Sequence, residues 1–530
     1  MASALQRASA IMASGTMVSR ILGFVKTALL GVAIGQLSRS ADAFANGNIL
    51  PNTLYMLLAG GMLNAILVPQ IVKSVQHADG GKSYLNKVLT LVSVALFAVT
   101  ALAMIGAPYV LHLLTPGWPD SQRMLAVAFA YWCIPQIMFY GWYTVLGEAL
   151  NAKRVFGPFT WAPAIANVVA IAGILVYIFL FGTDNNPPIS DWSPLSIGIL
   201  GGSATLGIAA QALILIVPWR KAGLSYRPDF KWRGVGLGET GRTAFWALLT
   251  ATLMTMGGLV VTPIMNLASG EGPATAAMQN IWLVFMLPHS VIAVSLVTAY
   301  FTRLSELGQT GNMPDFREAY TAAAKQVTML MLFAATLMFM AAPFVTRVLW
   351  PTGTAEGIEA MALVMRVYSI GLAAYSLMFT TQRAFFALSD ARTPFIFITA
   401  QLVALIGGLL IAVSFVEAAH IGVTYAAIWT ASTVGQSAFA LWLLRRRLGS
   451  IGGRELLSGI ARYVIAAIPT IIVGMLLVGA ATRIAPDYGM GLAVVFAFVI
   501  AAVMGVIYLV MLILLRVPEV QGILRRLGKR

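Results

Sequence analysis

The sequence opens on an apolar stretch that carries charges inside it: residues 8–35 read ASAIMASGTMVSRILGFVKTALLGVAIG. As a helix, this stretch is long enough to cross about 30 Å of hydrocarbon, yet it contains Ser19, Arg20 and Lys26. A cation at the centre of a lone membrane helix costs about 2.5–3.5 kcal/mol on insertion scales, so it normally faces a polar interior or pathway. The stretch therefore predicts a pathway through the protein for something polar or anionic.

The rest of the chain continues the apolar pattern. Of its 530 residues, 59% are hydrophobic and only 10% are charged, whereas a soluble fold carries about 25% charged residues. The composition predicts an all-α polytopic membrane protein. Apolar runs of about 20 residues predict fourteen spans, at 9–35, 44–72, 86–114, 123–150, 157–182, 195–219, 241–268, 274–302, 320–349, 359–388, 394–416, 420–444, 459–482 and 489–515.

The basic residues alternate between the predicted loops. With the N-terminus inside, the inner loops and helix ends hold 26 of the 34 Lys and Arg residues, the outer loops hold four, and four fall within spans. This bias follows the positive-inside rule and predicts that both termini are cytoplasmic. The formal charge of +15 is then mostly a matter of topology, and nucleic-acid binding is not expected.

Catalytic and metal-binding chemistry have no support in the sequence. The single cysteine, Cys133, lies within a predicted span, and the four histidines (His77, His112, His289 and His420) are scattered, so no metal site is expected. Neither a nucleophile–base arrangement nor a P-loop occurs, so neither an enzyme nor ATP coupling is expected. The first apolar run is too long and too charged for a cleavable signal peptide.

Two local correspondences predict an internal duplication. Residues 50–52 (LPN) resemble residues 287–289 (LPH), at an offset of 237, and residues 150–159 (LNAKRVFGPF) resemble residues 386–395 (FALSDARTPF), at an offset of 236. Six spans per half give a parallel repeat, and transporters bind substrate at repeat interfaces. The predicted segments are a six-helix half (1–219), a basic linker that is either interfacial or simply solvated (220–240), a second six-helix half (241–450), and two extra helices with a basic tail (451–530).

Prolines and glycines within the spans predict bends. Pro51 and Pro288 each remove a helix hydrogen bond and permit a kink, and Gly60 and Gly61 permit close packing or bending. Ordinary packing is the alternative for each residue, but their grouping in the second and eighth spans favours hinges there.

Several motifs resemble one transporter family, the MurJ/MviN lipid II flippases. Four segments resemble the start of these proteins and two resemble the end of their tenth span: residues 19–24 (SRILGF), 41–44 (ADAF), 50–52 (LPN) and 68–69 (VP), then 383–387 (RAFFA) and 391–394 (ARTP). With the fourteen spans, the resemblance covers essentially the whole chain. Residues 286–290 resemble actinobacterial members, here of a type without a soluble C-terminal extension.

The resemblance implies a MATE-like fold of the multidrug/oligosaccharidyl-lipid/polysaccharide (MOP) superfamily. It implies that the chain flips lipid II, the undecaprenyl-pyrophosphate-linked peptidoglycan precursor, from the inner to the outer leaflet of the bacterial cytoplasmic membrane by alternating access. Lipid II and membrane phospholipids are then the expected partners, and cell-wall synthesis or division proteins are candidates. The lipid tail is expected beside the two extra C-terminal helices.

For the pyrophosphate, the resemblance points first to Arg20. It lies about eleven residues into the first helix, and therefore ~16 Å deep at about 1.5 Å per residue. Arginine offers forked hydrogen bonds to phosphate, and capping the carbonyls of a broken neighbouring helix is the alternative. Lys26 stands where many relatives have arginine, so it keeps the positive charge but loses the forked hydrogen-bond geometry. The alternative is that its side chain extends outward to the membrane surface. The expected headgroup set also includes Ser19, Asn52 and Asn64, although the two amides could instead join helices.

Four charged residues are candidates for a gate or an ion pair. Asp42 is expected either to pair with a basic residue or to cap the N-terminus of the second span. Glu148 either pairs with the bases at 153–154 or is a helix-end charge. Arg366 and Arg383 would add positive charge to the cavity, and snorkelling at a helix end is the alternative for Arg383.

The chain departs from the family pattern at three positions. Proteobacterial relatives place arginines where this chain has Tyr55, Met56 and Leu283. The cavity is therefore expected to contain fewer positive charges than in those relatives. A MATE-type drug or polysaccharide-lipid exporter is the alternative function, and a non-transporting scaffold for cell-wall assembly is another. No cofactor is expected, and the sequence leaves open the energy source (Na⁺, H⁺ or the membrane potential), the oligomeric state and the peptide-stem preference.

Overall fold

The chain is helical throughout the part that the structure describes. The computed structural model describes residues 2–57, 71, 74, 79, 81–231 and 242–521, and these contain no β-strand, which confirms the predicted all-α class. The α-helices of six residues or more are α1 (Ala2–Ile34), α2 (Arg39–Gly47), α3 (Ile49–Leu57), α4 (Lys82–Leu114), α5 (Asp120–Cys133), α6 (Gln136–Ala152), α7 (Gly157–Phe181), α8 (Pro194–Leu213), α9 (Ile216–Lys221), α10 (Arg242–Asn266), α11 (Thr275–Pro288), α12 (Val294–Thr310), α13 (Met313–Leu349), α14 (Ala355–Ile370), α15 (Leu372–Ala387), α16 (Arg392–Ala412), α17 (Ile421–Leu448), α18 (Gly453–Ile484) and α19 (Met490–Leu514).

Most of these helices are suited to a membrane. In the described ranges, eleven helical segments are long and apolar enough to cross one, and α14 with α15, bent by 42°, would make a twelfth. The number of fourteen stays a prediction, because the span at 44–72 falls partly outside the described residues. The span at 420–444 does form a helix, α17. Because this helix contains polar residues such as Thr430, Thr433 and Gln436, it is less apolar than the segments counted above.

The chain folds as two compact units, residues 1–276 (unit 1) and 277–530 (unit 2). Unit 1 therefore includes α10, which belongs in sequence to the predicted second half. The segments predicted at 1–219, 220–240, 241–450 and 451–530 stay a prediction, because compact units record packing whereas the repeat records duplication. Residues 232–241 of the predicted linker lie outside the described part.

Small residues bring the helices of unit 1 close together. α1 packs along α7, and α7 packs along α8. A Cβ on Gly15 of α1 would lie 2.8 Å from the Trp161 ring, and a Cβ on Gly207 of α8 would lie 2.6 Å from the carbonyl oxygen of Ala166. Glycine is therefore required for these helix backbones to approach so closely.

Both prolines that predict bends lie at irregular backbone. In a continuous helix the Pro51 ring would clash with the carbonyl four residues earlier, that of Gly47, and α2 ends at Gly47 with α3 beginning after Asn48. Pro288 ends α11 and is followed by a π-helical turn at His289–Ala293 that leads into α12. Whether these two breaks act as hinges stays a prediction.

Unit 2 is built around α13, a helix of 37 residues that contacts α14, α15, α18 and α19. The two extra helices, α18 and α19, pack on each other and on α13. A Cβ on Gly474 of α18 would lie 2.9 Å from Met340 of α13 and 3.0 Å from Met504 of α19. The three helices therefore meet at one glycine.

The two longer segments that resemble each other in sequence also share a turn. Arg154 and Ser389 both have left-handed backbone, with φ of 62° and 57°. The N–H that follows each of them donates to a carbonyl five residues back, at 2.9 Å in both cases. This is the Schellman arrangement of a helix C-terminus; because it also follows Arg516, the duplication stays a prediction.

We expect Gly207→Ala to destabilise the fold by about 1–3 kcal/mol, as overpacking typically does, because the added methyl group would meet a backbone carbonyl that cannot rotate away. The measurement is thermal unfolding of the detergent-purified chain, followed by tryptophan fluorescence. Gly106→Ala in α4 is the matched control, since nothing lies within 4 Å of its added Cβ. Equal unfolding temperatures for the two variants would contradict the close contact of α7 with α8.

Candidate functional site

One face of α1 is joined to α7 by Ser19 and Gly23. Asn167 of α7 donates from Nδ2 to the carbonyl oxygen of Ser19 at 2.9 Å and to its hydroxyl at 3.4 Å. The same amide lies 3.7 Å from the position of a Cβ on Gly23. Ser19 thus makes a helix–helix contact in this conformation, and its headgroup contact stays a prediction.

Arg20 and Lys26 lie on either side of this face. Six residues on an α-helix correspond to about 9 Å along the axis and about 120° around it, and both side chains are half-buried. Among the described residues, Lys26 forms no hydrogen bond or ion pair. An ammonium group in an apolar span needs an opposite charge or hydrogen-bond acceptors. The binding of a pyrophosphate by Lys26 stays a prediction.

Asp42 is buried, with 1% of its surface exposed, and its carboxylate binds the start of α11. The Ala276 N–H donates to Oδ1 at 2.9 Å, and the Ser269 hydroxyl donates to Oδ2 at 2.7 Å. A carboxylate at a helix N-terminus is favoured by the helix dipole. The N-cap of α2 is Ser38 instead, and in the described part of the chain no basic side chain pairs with Asp42.

A reciprocal pair of amides continues this arrangement. Asn46 and Asn266 each donate from Nδ2 to the other's Oδ1, at 2.9 and 2.8 Å, and both are fully buried. Asn266 also donates to the carbonyl oxygen of Leu114 at 2.7 Å and accepts from the Thr275 hydroxyl at 2.7 Å. The Trp118 indole donates to the backbone carbonyl of Asn266 at 2.8 Å. These bonds tie the end of α10 to α2 and to the end of α4.

Gln122 completes the arrangement from α5. Its Nε2 donates to the Ser269 hydroxyl at 2.8 Å and to the Arg39 carbonyl at 3.2 Å. Sequence reasoning identified only Asp42, because the other members are isolated polar residues near the ends of predicted spans. The one feature that they share in the sequence is that these span ends are predicted to lie on the same side of the membrane. We call the set the Asp42 network: Asp42, Asn46, Gln122, Asn266, Ser269 and Thr275.

The other predicted charged residues lie in separate surroundings. Arg366 pairs with Glu359 of the same helix, α14. Arg383 of α15 lies over three phenylalanine rings and is nearest to Phe379, at 5.0 Å from its centroid. Glu148 is half-buried on α6, and within the described ranges it forms no ion pair with the bases at 153–154. Gate roles for these residues stay predictions.

The positions of the missing arginines are apolar or aromatic. Tyr55 stacks on Tyr140 with ring centroids 4.3 Å apart, and Met56 and Leu283 are exposed hydrophobic side chains. Asn52 is exposed and accepts a long hydrogen bond from the Tyr140 hydroxyl, at 3.4 Å. Of the remaining predicted residues, Gly60, Gly61 and Asn64 lie outside the described residues.

Metal ligands do not cluster in the described part of the chain, where no three His, Cys, Asp or Glu side chains could hold an ion together. Cys133 is buried with a free thiol. The polar arrangements of unit 1 are therefore built from amides, hydroxyls and isolated charges.

Comparison with known proteins identifies the family. Residues 32–499 match the family model described as lipid II flippase MurJ. The chain belongs to this family. A probable lipid II flippase MurJ from Synechocystis sp. is 27% identical over 466 residues, which cover 85% of this chain and 83% of the relative. Because the family consists of lipid flippases, the chain is a transporter and not an enzyme.

Solved structures share the fold. A lipid II flippase MurJ in an inward closed conformation matches with a TM-score of 0.71 at 16% identity, covering 95% of this chain and 99% of that one. An inward-facing MATE multidrug transporter of the MOP superfamily matches with a TM-score of 0.64 at 14% identity, covering 84% and 98%. These similarities show the MATE-like fold that the motifs predict.

We expect Asn266→Ala to lower the free energy of unfolding by about 1–3 kcal/mol, the typical cost of leaving a buried polar group unpaired. The Asn46 amide, the Thr275 hydroxyl and the Leu114 carbonyl each lose a partner in this variant. Chemical denaturation of the purified chain in detergent measures the change. Asn186→Ala, at an exposed loop position, is the control. An unchanged midpoint for Asn266→Ala would show that the buried amide pair contributes nothing to stability.

Proposed function

We propose that the chain flips lipid II from the inner to the outer leaflet of the bacterial cytoplasmic membrane by alternating access, for cell-wall synthesis. The observation that carries the proposal is the match of residues 32–499 to the lipid II flippase family. The direction of transport, the orientation and the residue roles rest on the charge distribution and on two features of unit 1, the cations of α1 and the Asp42 network.

The positive-inside pattern supports an orientation with both termini in the cytoplasm. In that orientation the loops that follow α1, α4 and α10 all lie on the outer side. The Asp42 network joins the segments next to these three loops by direct hydrogen bonds. The network is therefore consistent with the predicted orientation, and we place it at the outer end of unit 1.

The pyrophosphate of lipid II would be held by α1. The guanidinium of Arg20 can donate two parallel hydrogen bonds to a phosphate, and the Lys26 ammonium has no partner among the described side chains. From the cytoplasm the substrate would meet Arg20 first, and Lys26 about 9 Å further out. The two cations would thus bind the pyrophosphate in succession as it crosses.

The Asp42 network would act as the outer gate. It joins α2, α5 and the segment between α10 and α11, and in this role it would hold the outer end of unit 1 closed. An outward-open state would need these hydrogen bonds to break. Asp42 is then a gate residue whose partners are a hydroxyl and a helix N-terminus.

We expect Arg20→Ala to abolish flipping, and Arg20→Lys to keep part of it because the charge remains while the forked geometry is lost. The measurement is rescue of cells depleted of their own lipid II flippase, paired with a probe of outer-leaflet lipid II at matched membrane abundance. Ile21→Ala is the matched control, because Ile21 is the adjacent residue on α1 and is 55% exposed.

The two possible failures of this experiment are distinct. If the wild-type chain inserts properly but does not restore outer-leaflet lipid II, the flippase proposal loses to a MATE-type exporter or a non-transporting scaffold. If the wild type restores it and Arg20→Ala does so equally well, the function stands and the pyrophosphate site on α1 is wrong.

For the gate, we expect Asp42→Ala to expose the outer end of unit 1. The reporter is Ala274→Cys in a Cys133→Ala background, since Ala274 is 1% exposed and lies two residues before Ala276. A membrane-impermeant maleimide added from outside should label this cysteine several-fold faster when Asp42 is removed. The reason is that Ser269 and the N-terminus of α11 both lose their carboxylate partner.

Asp120→Ala is the matched control for the gate. Asp120 is an acid at the start of α5, close in sequence to Gln122, but its side chain is 90% exposed and pairs only with Arg123. Equal labelling rates in the Asp42 and Asp120 variants would contradict the gate. Labelling only from the cytoplasmic side would contradict the orientation.

Several finer properties remain part of the proposal. Membrane phospholipids are expected partners, and cell-wall synthesis or division proteins are candidates. Na⁺, H⁺ or the membrane potential would drive the cycle, with no cofactor. A MATE-type exporter of the same fold would leave outer-leaflet lipid II unchanged in the rescue experiment, which separates the two functions.

A further inference from the structure

Two adjoining polar cavities lie within unit 2. The larger, of about 500 Å³, lies between the first turns of α13, the start of α18 and the residues that follow α19. The smaller, of about 260 Å³, continues along α18. The two cavities share a wall made by Lys325, Glu455, Pro518 and Glu519.

An ion pair with one unused oxygen forms this wall. Lys325 Nζ lies 2.7 Å from Glu519 Oε1, and the two side chains are 16% and 9% exposed. The other oxygen, Oε2, is buried and accepts no hydrogen bond. Arg317 Nε, on the larger cavity, is buried without an acceptor. The Tyr463 hydroxyl, on the smaller one, lies close to Glu519 but outside hydrogen-bond geometry.

Buried polar atoms without a hydrogen-bond partner are concentrated around these two cavities. Over the described residues, five buried side-chain nitrogen or oxygen atoms have no hydrogen-bond partner, and three of them line these two cavities. Buried polar groups are normally paired. One of the three is a donor without an acceptor and another is an acceptor without a donor. An occupant that carries both an acceptor and a donor would satisfy both atoms.

The charges on the cavity walls are balanced. Three bases and three acids line the two cavities: Arg317, Lys325, Arg462, Glu318, Glu455 and Glu519. A simple anion would meet the carboxylates as well as the bases, whereas a zwitterion matches both signs. The cavities also lie where the polar first turns of α13 and α18 give way to apolar sequence, and we expect that boundary at the level of the lipid headgroups.

We propose that these cavities bind a zwitterionic phosphate ester with a primary ammonium group, such as the headgroup of phosphatidylethanolamine or free phosphoethanolamine. The phosphate would lie at Arg317 and Arg462, and the ammonium at Glu455 and the unused oxygen of Glu519. The ligand bridges α13 to the turn after α19, and so holds the two extra helices on α13. The site is independent of the lipid II proposal.

The test uses the delipidated full chain in detergent, titrated with three dioctanoyl phospholipids. Phosphatidylethanolamine carries both groups, phosphatidylcholine keeps the positive charge but has no N–H donor, and phosphatidylglycerol has no cation. Native mass spectrometry counts the bound lipids, and the shift in thermal unfolding temperature gives the affinity. We expect one phosphatidylethanolamine to bind at least tenfold more tightly than the other two.

Free phosphoethanolamine distinguishes the sources of the ligand. If free phosphoethanolamine displaces phosphatidylethanolamine with an affinity equal to that of the lipid, the site is assigned to the soluble ester. Competition that is at least tenfold weaker assigns it to the bilayer lipid, whose chains then add to binding. Both results support a zwitterion site.

Variants locate the site. Arg317→Gln and Glu519→Gln should each weaken phosphatidylethanolamine binding at least tenfold, and Arg317→Gln does so without breaking the Lys325–Glu519 pair. Glu417→Gln, at an exposed acid on another loop (88% exposed), is the control and should bind normally. Equal affinity for the three lipids, or unchanged binding by Arg317→Gln, would overturn the proposal and leave the cavities filled by water alone.

Discussion

A buried carboxylate that has no cation must be satisfied by hydrogen-bond donors, and in unit 1 this constraint falls on Asp42. Its donors are the Ser269 hydroxyl and the Ala276 N–H, so one acidic side chain ties the last residues of unit 1 to α2. Asn266 acts in the same way at the end of α10, where its amide is shared among α2, the end of α4 and the first residue of α11. The packing at this end of unit 1 therefore depends on polar geometry as much as on apolar area.

The polar groups of unit 1 fall into two kinds. The members of the Asp42 network bond to one another and to nearby backbone, so this end is complete without a ligand. Lys26 instead has no internal partner within the described ranges, although it lies in an apolar helix where a charge is costly. This contrast is why we assign the Asp42 network to holding unit 1 together and, in the proposed function, assign Lys26 to the substrate.

The sequence predicted what depends on local pattern. Apolar runs gave the all-α class and most helix bounds, the cations of α1 stood out against their apolar neighbours, and the rule for proline located the break before Pro51. The Asn46–Asn266 pair could not be found in this way, because its members are 220 positions apart and a single asparagine has no periodicity. For Asp42 the sequence indicated the need for a partner but not the partner itself, since a helix N-terminus formed by a distant segment leaves no mark near residue 42.

The chemistry of the Asp42 network has a consequence for how easily it opens. An apolar seal must expose hydrocarbon surface to water when it parts, at about 25 cal/mol for each Å². A seal of amides, hydroxyls and one carboxylate exchanges its bonds for bonds to water, and a typical exchange of this kind changes the free energy by only about 0.5–1.5 kcal/mol per bond. If this end opens during transport, as proposed, each bond that breaks is replaced by a bond to water, and no apolar surface has to be wetted at the network itself.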